Sequence, residues 1–206
     1  MGRKMKRMSS AYSTFVGPPE VGTIRLPVAP LSTEQYLRMI EAGVFDSSDK
    51  VELIGGFITP MAPVGPEHNG SLFELTKLFA PVAEKFVIAV QATVALSEGQ
   101  VLEPDFALLA ARADKYMTAL PRAADVLLII ESAASSLKND RHVKLPIYAA
   151  AGIPEYWIVD LNQKTLEIYH DPAGDNYAEQ NKLSGDDVAS PLACPEVKLR
   201  VGGLFA

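Results

Sequence analysis

Cysteine and histidine are scarce in this 206-residue chain. The single cysteine, Cys194, excludes an intrachain disulfide and a zinc cage built from several cysteines. The three histidines, His68, His142 and His170, are far apart in sequence and form no H-E-x-x-H motif. Walker and G-x-G-x-x-G phosphate loops are absent, as is the G-x-S-x-G motif of serine hydrolases. Low cysteine usage is typical of a reducing compartment, and we expect a cytoplasmic protein.

Long apolar segments and an excess of positive charge are also lacking. No apolar stretch reaches the roughly 20 residues that span a bilayer, so we expect no membrane partner. The basic start, MGRKMKRMSSAYS, has no apolar core behind it and does not read as a secretory signal. The formal net charge of −6 argues against a broadly electropositive surface for nucleic acid, although it leaves room for a local basic groove.

What the chain does contain is the composition of one globular domain, with 48% hydrophobic and 21% charged residues. Residues 1–30 hold several glycines and prolines with little periodicity, which predicts an extended or flexible lead-in before a domain over residues 31–206. The segment LSTEQYLRMIEAG predicts a helix that starts at a Ser32–Gln35 capping box and stops at Gly43. The segment KVELIGGFITPMAP predicts two strands joined by Gly55-Gly56.

The remaining pattern alternates between helices and β-rich runs. HNGSLFELTKLFAPVAEKF has one apolar helical stripe, perturbed at Pro81, and a second helical segment ends at Gly152. FVIAVQATVAL, PDFALLA, ADVLLIIE, EYWIVD and TLEIYH predict strands, with YAEQNKLS as a weaker candidate. ADVLLIIE is apolar throughout, as expected for a strand covered on both faces, and Trp157 and Cys194 are expected in the core. The sequence therefore predicts an α/β fold with a central mixed sheet flanked by helices.

Carboxylates at the ends of strands are the first candidates for chemistry. Asp105 opens one apolar run and Glu131 closes another, so neighbouring strand ends could bring the two side chains together. Paired acids repel unless they share a proton or hold a cation, and Mg²⁺ prefers oxygen ligands. The structural alternative is that each acid merely ends a strand at solvent. Alternation places Glu52 either toward solvent or into a site beside the sheet, and the pattern does not choose.

Lys144 is the candidate cation. On helical spacing Lys144, Tyr148 and Ala151 share one face, which could point back toward the end of the preceding strand. The structural alternative is an exposed ion pair between Asp140 and Lys144, which have i,i+4 spacing.

Five strings occur in order and at a familiar spacing: VELIGG, MAPVGPEH, EPDFALL, LLIIESAASSLKNDRHVK and YAAAGIPEYWIVD. With them the chain closely resembles the Uma2 family, also called DUF820, of restriction-endonuclease-like proteins, over roughly residues 30 to 206. The resemblance implies the PD-(D/E)XK nuclease-like fold, a restriction-endonuclease-like core. In that superfamily the Asp of the Pro-Asp motif and the acid of the next strand hold one or two Mg²⁺ ions. These acids are Asp105 and Glu131 here.

The resemblance also implies roles for further residues. The superfamily lysine usually lies two positions after the second acid, where this chain has Ala133, and Lys144 of the following helix takes its place. Glu52 matches an additional acidic position of the superfamily, and the carbonyl of Ser132 could add another metal ligand. His68 matches a histidine that recurs in Uma2-like sequences, without an assigned role.

The resemblance, with these residues present, implies a Mg²⁺-dependent DNA endonuclease that could also use Mn²⁺. Lys144 would orient or help to deprotonate the attacking water and offset the phosphate charge. One alternative is a non-catalytic module that binds nucleic acid or regulates, and that keeps the nuclease fold. Another is metal-dependent hydrolysis of a small substrate. Because cutting both strands of a duplex is easier for two copies, we also expect a homodimer.

Overall fold

The structure is a computed structural model that describes residues 13–16, 25–46 and 48–205. Its strands are β1 (Ser13–Val16), β2 (Arg25–Val28), β3 (Val51–Ile54), β4 (Phe57–Pro60), β5 (Phe86–Val90), β6 (Val94–Ser97), β7 (Gln100–Leu102), β8 (Phe106–Ala110), β9 (Val126–Ala133), β10 (Glu155–Asp160), β11 (Thr165–Ala173), β12 (Asn176–Ser184), β13 (Val188–Ala189) and β14 (Leu199–Arg200). Its α-helices are α1 (Thr33–Glu41), α2 (Pro66–Phe79), α3 (Leu137–Asn139) and α4 (Leu145–Ala150). A π-helical turn, Asp140–Lys144, joins α3 to α4.

Most of the predicted lead-in, residues 1–30, lies outside the described residues. Within the described part, β1 and β2 pair antiparallel. The domain that follows begins with α1, where the predicted capping box is confirmed: Ser32 Oγ accepts from the Gln35 amide, and the Gln35 side chain accepts from the Ser32 amide. The helix stops before Gly43, whose φ of +68° suits glycine.

A central sheet of six strands runs in the order β12-β11-β10-β9-β8-β5. Strands β9 and β10 are parallel, and the other neighbours in this sheet are antiparallel. The predicted mixed sheet is confirmed, and YAEQNKLS lies within its edge strand β12. The predicted α/β fold with a central mixed sheet is confirmed.

A smaller antiparallel sheet has the order β4-β3-β7-β6. The predicted hairpin at Gly55-Gly56 joins β3 to β4, and both glycines have positive φ. Only glycine fits at position 56, because an added Cβ would lie 2.4 Å from the Cβ of Pro30. FVIAVQATVAL, predicted as one β-rich run, is divided between β5 of the central sheet and β6 of the smaller one. Gln91 has a φ of +48° between them, and the chain turns there from one sheet into the other.

Apolar side chains cover both faces of the central sheet. On one face α2 contributes Leu75 and Phe79, and the Phe79 ring lies 4.9 Å from that of Phe106. Trp157 and Cys194 are buried in the same cluster, as predicted. On the other face Tyr148 of α4 packs in a second cluster with strands β8 to β10. Strand β9 is therefore enclosed on both sides, which explains its continuous apolar sequence.

Among the residues that the structure describes, none of the helices has both the length and the apolar character that crossing a bilayer requires.

Helix α2 offers a direct test of the core, because it carries one buried and one exposed phenylalanine. Phe79 is fully buried, whereas Phe73 is 72% exposed. We expect Phe79→Ala to lower the free energy of unfolding by about 3–5 kcal/mol, since it leaves a cavity against Phe106. Phe73→Ala should change it by no more than about 0.5 kcal/mol. Urea denaturation of the two variants measures the difference, and equal losses would contradict this packing.

Candidate active site

The strand register brings two acids together where β8 begins and the neighbouring strand β9 nears its end. Antiparallel pairing places Phe106 opposite Ile130, so the next position along each strand sets Asp105 beside Glu131. The Ser132 amide donates a hydrogen bond to Asp105 Oδ2 at 2.8 Å, which fixes this arrangement. Both carboxylates are buried. The structural alternative, in which each acid ends its strand at solvent, does not hold here.

Lys144 reaches the same place from the π-helical turn. Its Nζ lies 3.0 Å from Glu131 Oε1 and 3.2 Å from Glu52 Oε1, and the side chain is almost entirely buried. Glu52 thus points into the site and away from solvent, and its Oε1 also accepts the Glu103 amide. The position that a superfamily lysine would occupy holds the buried Ala133. The ammonium group beside Glu131 belongs instead to Lys144, in the π-helical turn that follows β9.

The backbone around Lys144 is unusual. Residues Asp140–Lys144 form a π-helical turn, a rare conformation that is frequent at functional sites. Both end residues of this turn are buried, at 1% and 6% exposure respectively. The interpretation of Asp140 and Lys144 as an exposed ion pair is therefore wrong.

Tyr148 holds the other side of Glu131. Its hydroxyl donates to Glu131 Oε1 at 2.7 Å, so the tyrosine and Lys144 both contact the same oxygen. This arrangement leaves Glu131 Oε2 for another partner. The predicted shared face of Lys144 and Tyr148 is confirmed.

Helix α2 holds Asp105 and Ser132 from the opposite side of the sheet. His68 Nε2 lies 2.8 Å from Asp105 Oδ1, and the Ser71 and Ser132 hydroxyls are 2.6 Å apart. The hydrogen bond to Asp105 is the main reason why the pKa of His68 is raised above 6.5. Burial by itself raises the pKa of the Asp105 carboxyl, but its bonds to His68 and to the Ser132 amide lower it below 3.8. The structure thus assigns the recurrent histidine a contact: it holds Asp105.

These side chains line a cavity of about 290 Å³. Four carboxylates line it, against one lysine and one histidine: Glu52, Asp105, Glu131 and Asp140, with Lys144 and His68. Burial raises the pKa of Asp140 to about 6. The excess of buried negative charge favours a bound cation.

The donor set fits a divalent cation with oxygen ligands. Mg²⁺ keeps several waters and needs only one or two carboxylates, which Asp105 and Glu131 supply. Among the described residues, the one group of three or more His, Cys, Asp or Glu side chains with ligand atoms within 4.8 Å of one another is the surface cluster His170, Asp171 and Glu179. The acids of the cavity do not form such a group. Direct binding of a single ion by Asp105, Glu131 and Glu52 together is therefore not preformed.

Sequence reasoning did not identify Asp140 as a residue that lines this cavity. Asp140, Lys144 and Tyr148 have the spacing i, i+4 and i+8, which was the available signal. The i,i+4 spacing of Asp140 and Lys144 fits an exposed ion pair as well as a buried face, so the pattern left both alternatives open.

The His68–Asp105 pair predicts a change that NMR can measure. Asp105→Asn removes the carboxylate that raises the pKa of His68, so the histidine should titrate at a lower pH than in the wild type. Asp171→Asn, beside the surface residue His170, is the matched control and should leave the pKa of His68 unchanged.

The same pair makes stability depend on pH. The contribution of His68 to stability is complete below its unfolded-state pKa of 6.5, and it is lost as the pH rises through the raised pKa of the folded state. Asp105 contributes fully above 3.8 and loses this as the pH falls through its lowered pKa, so the pair stabilises most between these values.

Comparison with known proteins agrees with this fold. The family model Uma2, described as "Putative restriction endonuclease", matches residues 33–202. A crystal structure at 1.96 Å of "a putative nuclease belonging to DUF820" from Anabaena variabilis ATCC 29413 is similar, with a TM-score of 0.69 and 15% sequence identity. The alignment covers 85% of this chain and 98% of that one, and at this identity it supports the fold alone. No curated protein matches the chain. Because the family model spans well over half of its length, this chain belongs to the Uma2 family.

Proposed function

We propose that this chain is a metal-dependent nuclease that hydrolyses phosphodiester bonds in DNA. The observation that carries the proposal is the buried Lys144 ammonium, which contacts Glu131 and Glu52 in a cavity that Asp105 also lines. Such a cavity combines anionic oxygens for a cation with a cation for a phosphate. The family description, restriction endonuclease, and the nuclease named in the similar crystal structure give the substrate class.

Asp105 and Glu131 would hold the divalent cation, for which we propose Mg²⁺, with Mn²⁺ as its substitute. The Ser132 carbonyl would add an oxygen, and Glu52 would act through a water. When bound, the ion would supply positive charge to the phosphate oxygens and lower the pKa of a nearby water. The protein's own residues prepare the ligands: Tyr148 fixes one oxygen of Glu131, and His68 fixes one oxygen of Asp105.

The charge state of Lys144 limits the role that it can have in the reaction. Burial lowers the pKa of Lys144, but the charges of Glu131 and Glu52 outweigh burial and raise the pKa above its ordinary value. The side chain therefore stays an ammonium and has no lone pair with which to accept a proton. Of the three roles expected from the sequence, orienting the attacking water and offsetting phosphate charge fit this state, and deprotonating the water does not.

The alternative of a non-catalytic binding or regulatory module accounts less well for the cavity. Phosphate binding alone has no use for four buried carboxylates, because they repel the phosphate charge. Hydrolysis of a small substrate would use the same residues and becomes an outcome of the test. The homodimer and the cytoplasmic location stay predictions.

Plasmid and single-stranded DNA cleavage with Mg²⁺ or Mn²⁺ tests the proposal. We expect Asp105→Ala and Lys144→Met each to lower the cleavage rate at least about 100-fold, since both act at the reacting phosphate. Lys77→Met, which removes an exposed lysine on α2, is the matched control and should keep the wild-type rate. Both variants should remain folded by circular dichroism.

Cleavage that survives Asp105→Ala would rule out this site. If the wild type cleaves no DNA while a Glu131→Ala variant keeps full DNA affinity without metal, the binding module is the correct function. If the wild type hydrolyses a small phosphodiester such as bis(p-nitrophenyl) phosphate but no DNA, the substrate assignment is wrong.

A further inference from the structure

The two edges of the central sheet differ in the residues that they expose. Strand β12 forms one edge and carries charged residues, Glu179 and Lys182, within it. Strand β5, with the sequence FVIAV, forms the other edge and contains no charged residue and no proline. In the part of the chain that the structure describes, β5 pairs with β8 alone, so its outer side has no neighbouring strand. An edge without charge or proline is a template for pairing with another chain.

The side chains beside this edge form an apolar patch. Phe86 and Ile88 lie on the face of the sheet that α2 covers, and both are only partly buried. Alternation puts Val90 on the same face, where it is 39% exposed. Helix α2 adds Phe73, which is 72% exposed and lines a cavity of about 520 Å³ together with Val90. A patch of this kind next to an unpaired strand marks a protein interface.

We propose that β5 pairs antiparallel with β5 of a second copy of this chain, about a twofold axis at Ile88, and joins the two central sheets. The strand is self-complementary in this arrangement, because Ile88 faces its own copy and Phe86 faces the partner's Val90. Lys85, just before the strand, faces the partner's Gln91, so no like charges meet. The sequence predicts a homodimer without giving it a surface, and this edge supplies one.

The charges around the cavity beside Val90 also suit a second copy. Lys77 of α2 lines this cavity. Glu84 is exposed and lies two residues before β5, so the twofold axis would bring the partner's Glu84 to the Val90 end of the strand, near Lys77. The same face of one chain thus holds both members of an attractive pair, as a self-complementary interface requires.

Sedimentation equilibrium tests the inference in the absence of DNA. We expect the wild type to reach the mass of two chains as its concentration rises. Val90→Lys places a charge opposite the partner's Phe86 and beside its Lys85, and should raise the dissociation constant at least about 10-fold. Gln180→Lys puts the same charge on the opposite edge strand, β12, and should leave the constant unchanged. Circular dichroism checks that both variants fold.

A cysteine at position 88 tests the twofold register directly. Because Ile88 faces its own copy, Ile88→Cys should form a disulfide between two chains on mild oxidation. The wild type, whose Cys194 is buried, should form none. Val188→Cys, at an exposed position outside β5, should cross-link far less. Since Ile88→Cys introduces no charge, it tests the surface even if Val90→Lys fails to fold.

A wild-type chain that stays monomeric at every concentration would overturn the inference. So would a dimer that a folded Val90→Lys variant leaves intact, or one whose Ile88→Cys variant does not cross-link. DNA cleavage enters none of these results, because all side chains of the proposed active site come from one chain. Since association adds to stability, the comparison of Phe73→Ala with Phe79→Ala applies at concentrations where the chain is monomeric.

Discussion

A lysine ammonium held out of water between two carboxylates is the interaction on which the site depends. Removing a charged group from water costs several kcal/mol, and the cost is offset only when its partners are correctly placed. Glu52 comes from the β3–β4 hairpin, Glu131 from the central strand β9, and Lys144 from the π-helical turn. Three segments distant in sequence must therefore be in register before the pair can form. The geometry of the cavity is in this way tied to the fold of the whole domain.

The two acids of the proposed metal site are held from opposite faces of the sheet. On one side Lys144 and Tyr148 contact a single oxygen of Glu131, and on the other side His68 from α2 contacts Asp105. Each carboxylate keeps ligand capacity beyond these contacts, since a carboxylate offers about four lone-pair sites. The helices that close the hydrophobic core on both faces thus also orient the oxygens of the proposed metal site. Both acids are thereby held in place where they line the cavity.

The sequence indicated that Asp105 and Glu131 could meet, because periodicity located both strands and the ends of neighbouring strands lie close together. It also predicted the inward direction of Lys144 from helical spacing with Tyr148. The sequence did not determine whether Glu52 faces the site. Alternation along a strand shows which residues share a face of the sheet, but it does not show whether that face meets solvent or other parts of the protein. An exposed pair of Asp140 with Lys144 stayed an alternative, because i,i+4 spacing is the same on a buried and on an exposed helix face. The π-helical turn that buries both residues depends on tertiary packing and has no local sequence signal.

The most direct test of the central claim is a crystal structure of the protein soaked with Mn²⁺, with anomalous diffraction used to locate the ions. The account predicts an anomalous peak inside the cavity, in contact with Asp105 and Glu131, with Lys144 lining the same space. A chain whose anomalous signal lies only at the surface cluster His170, Asp171 and Glu179, with none in the cavity, would contradict it.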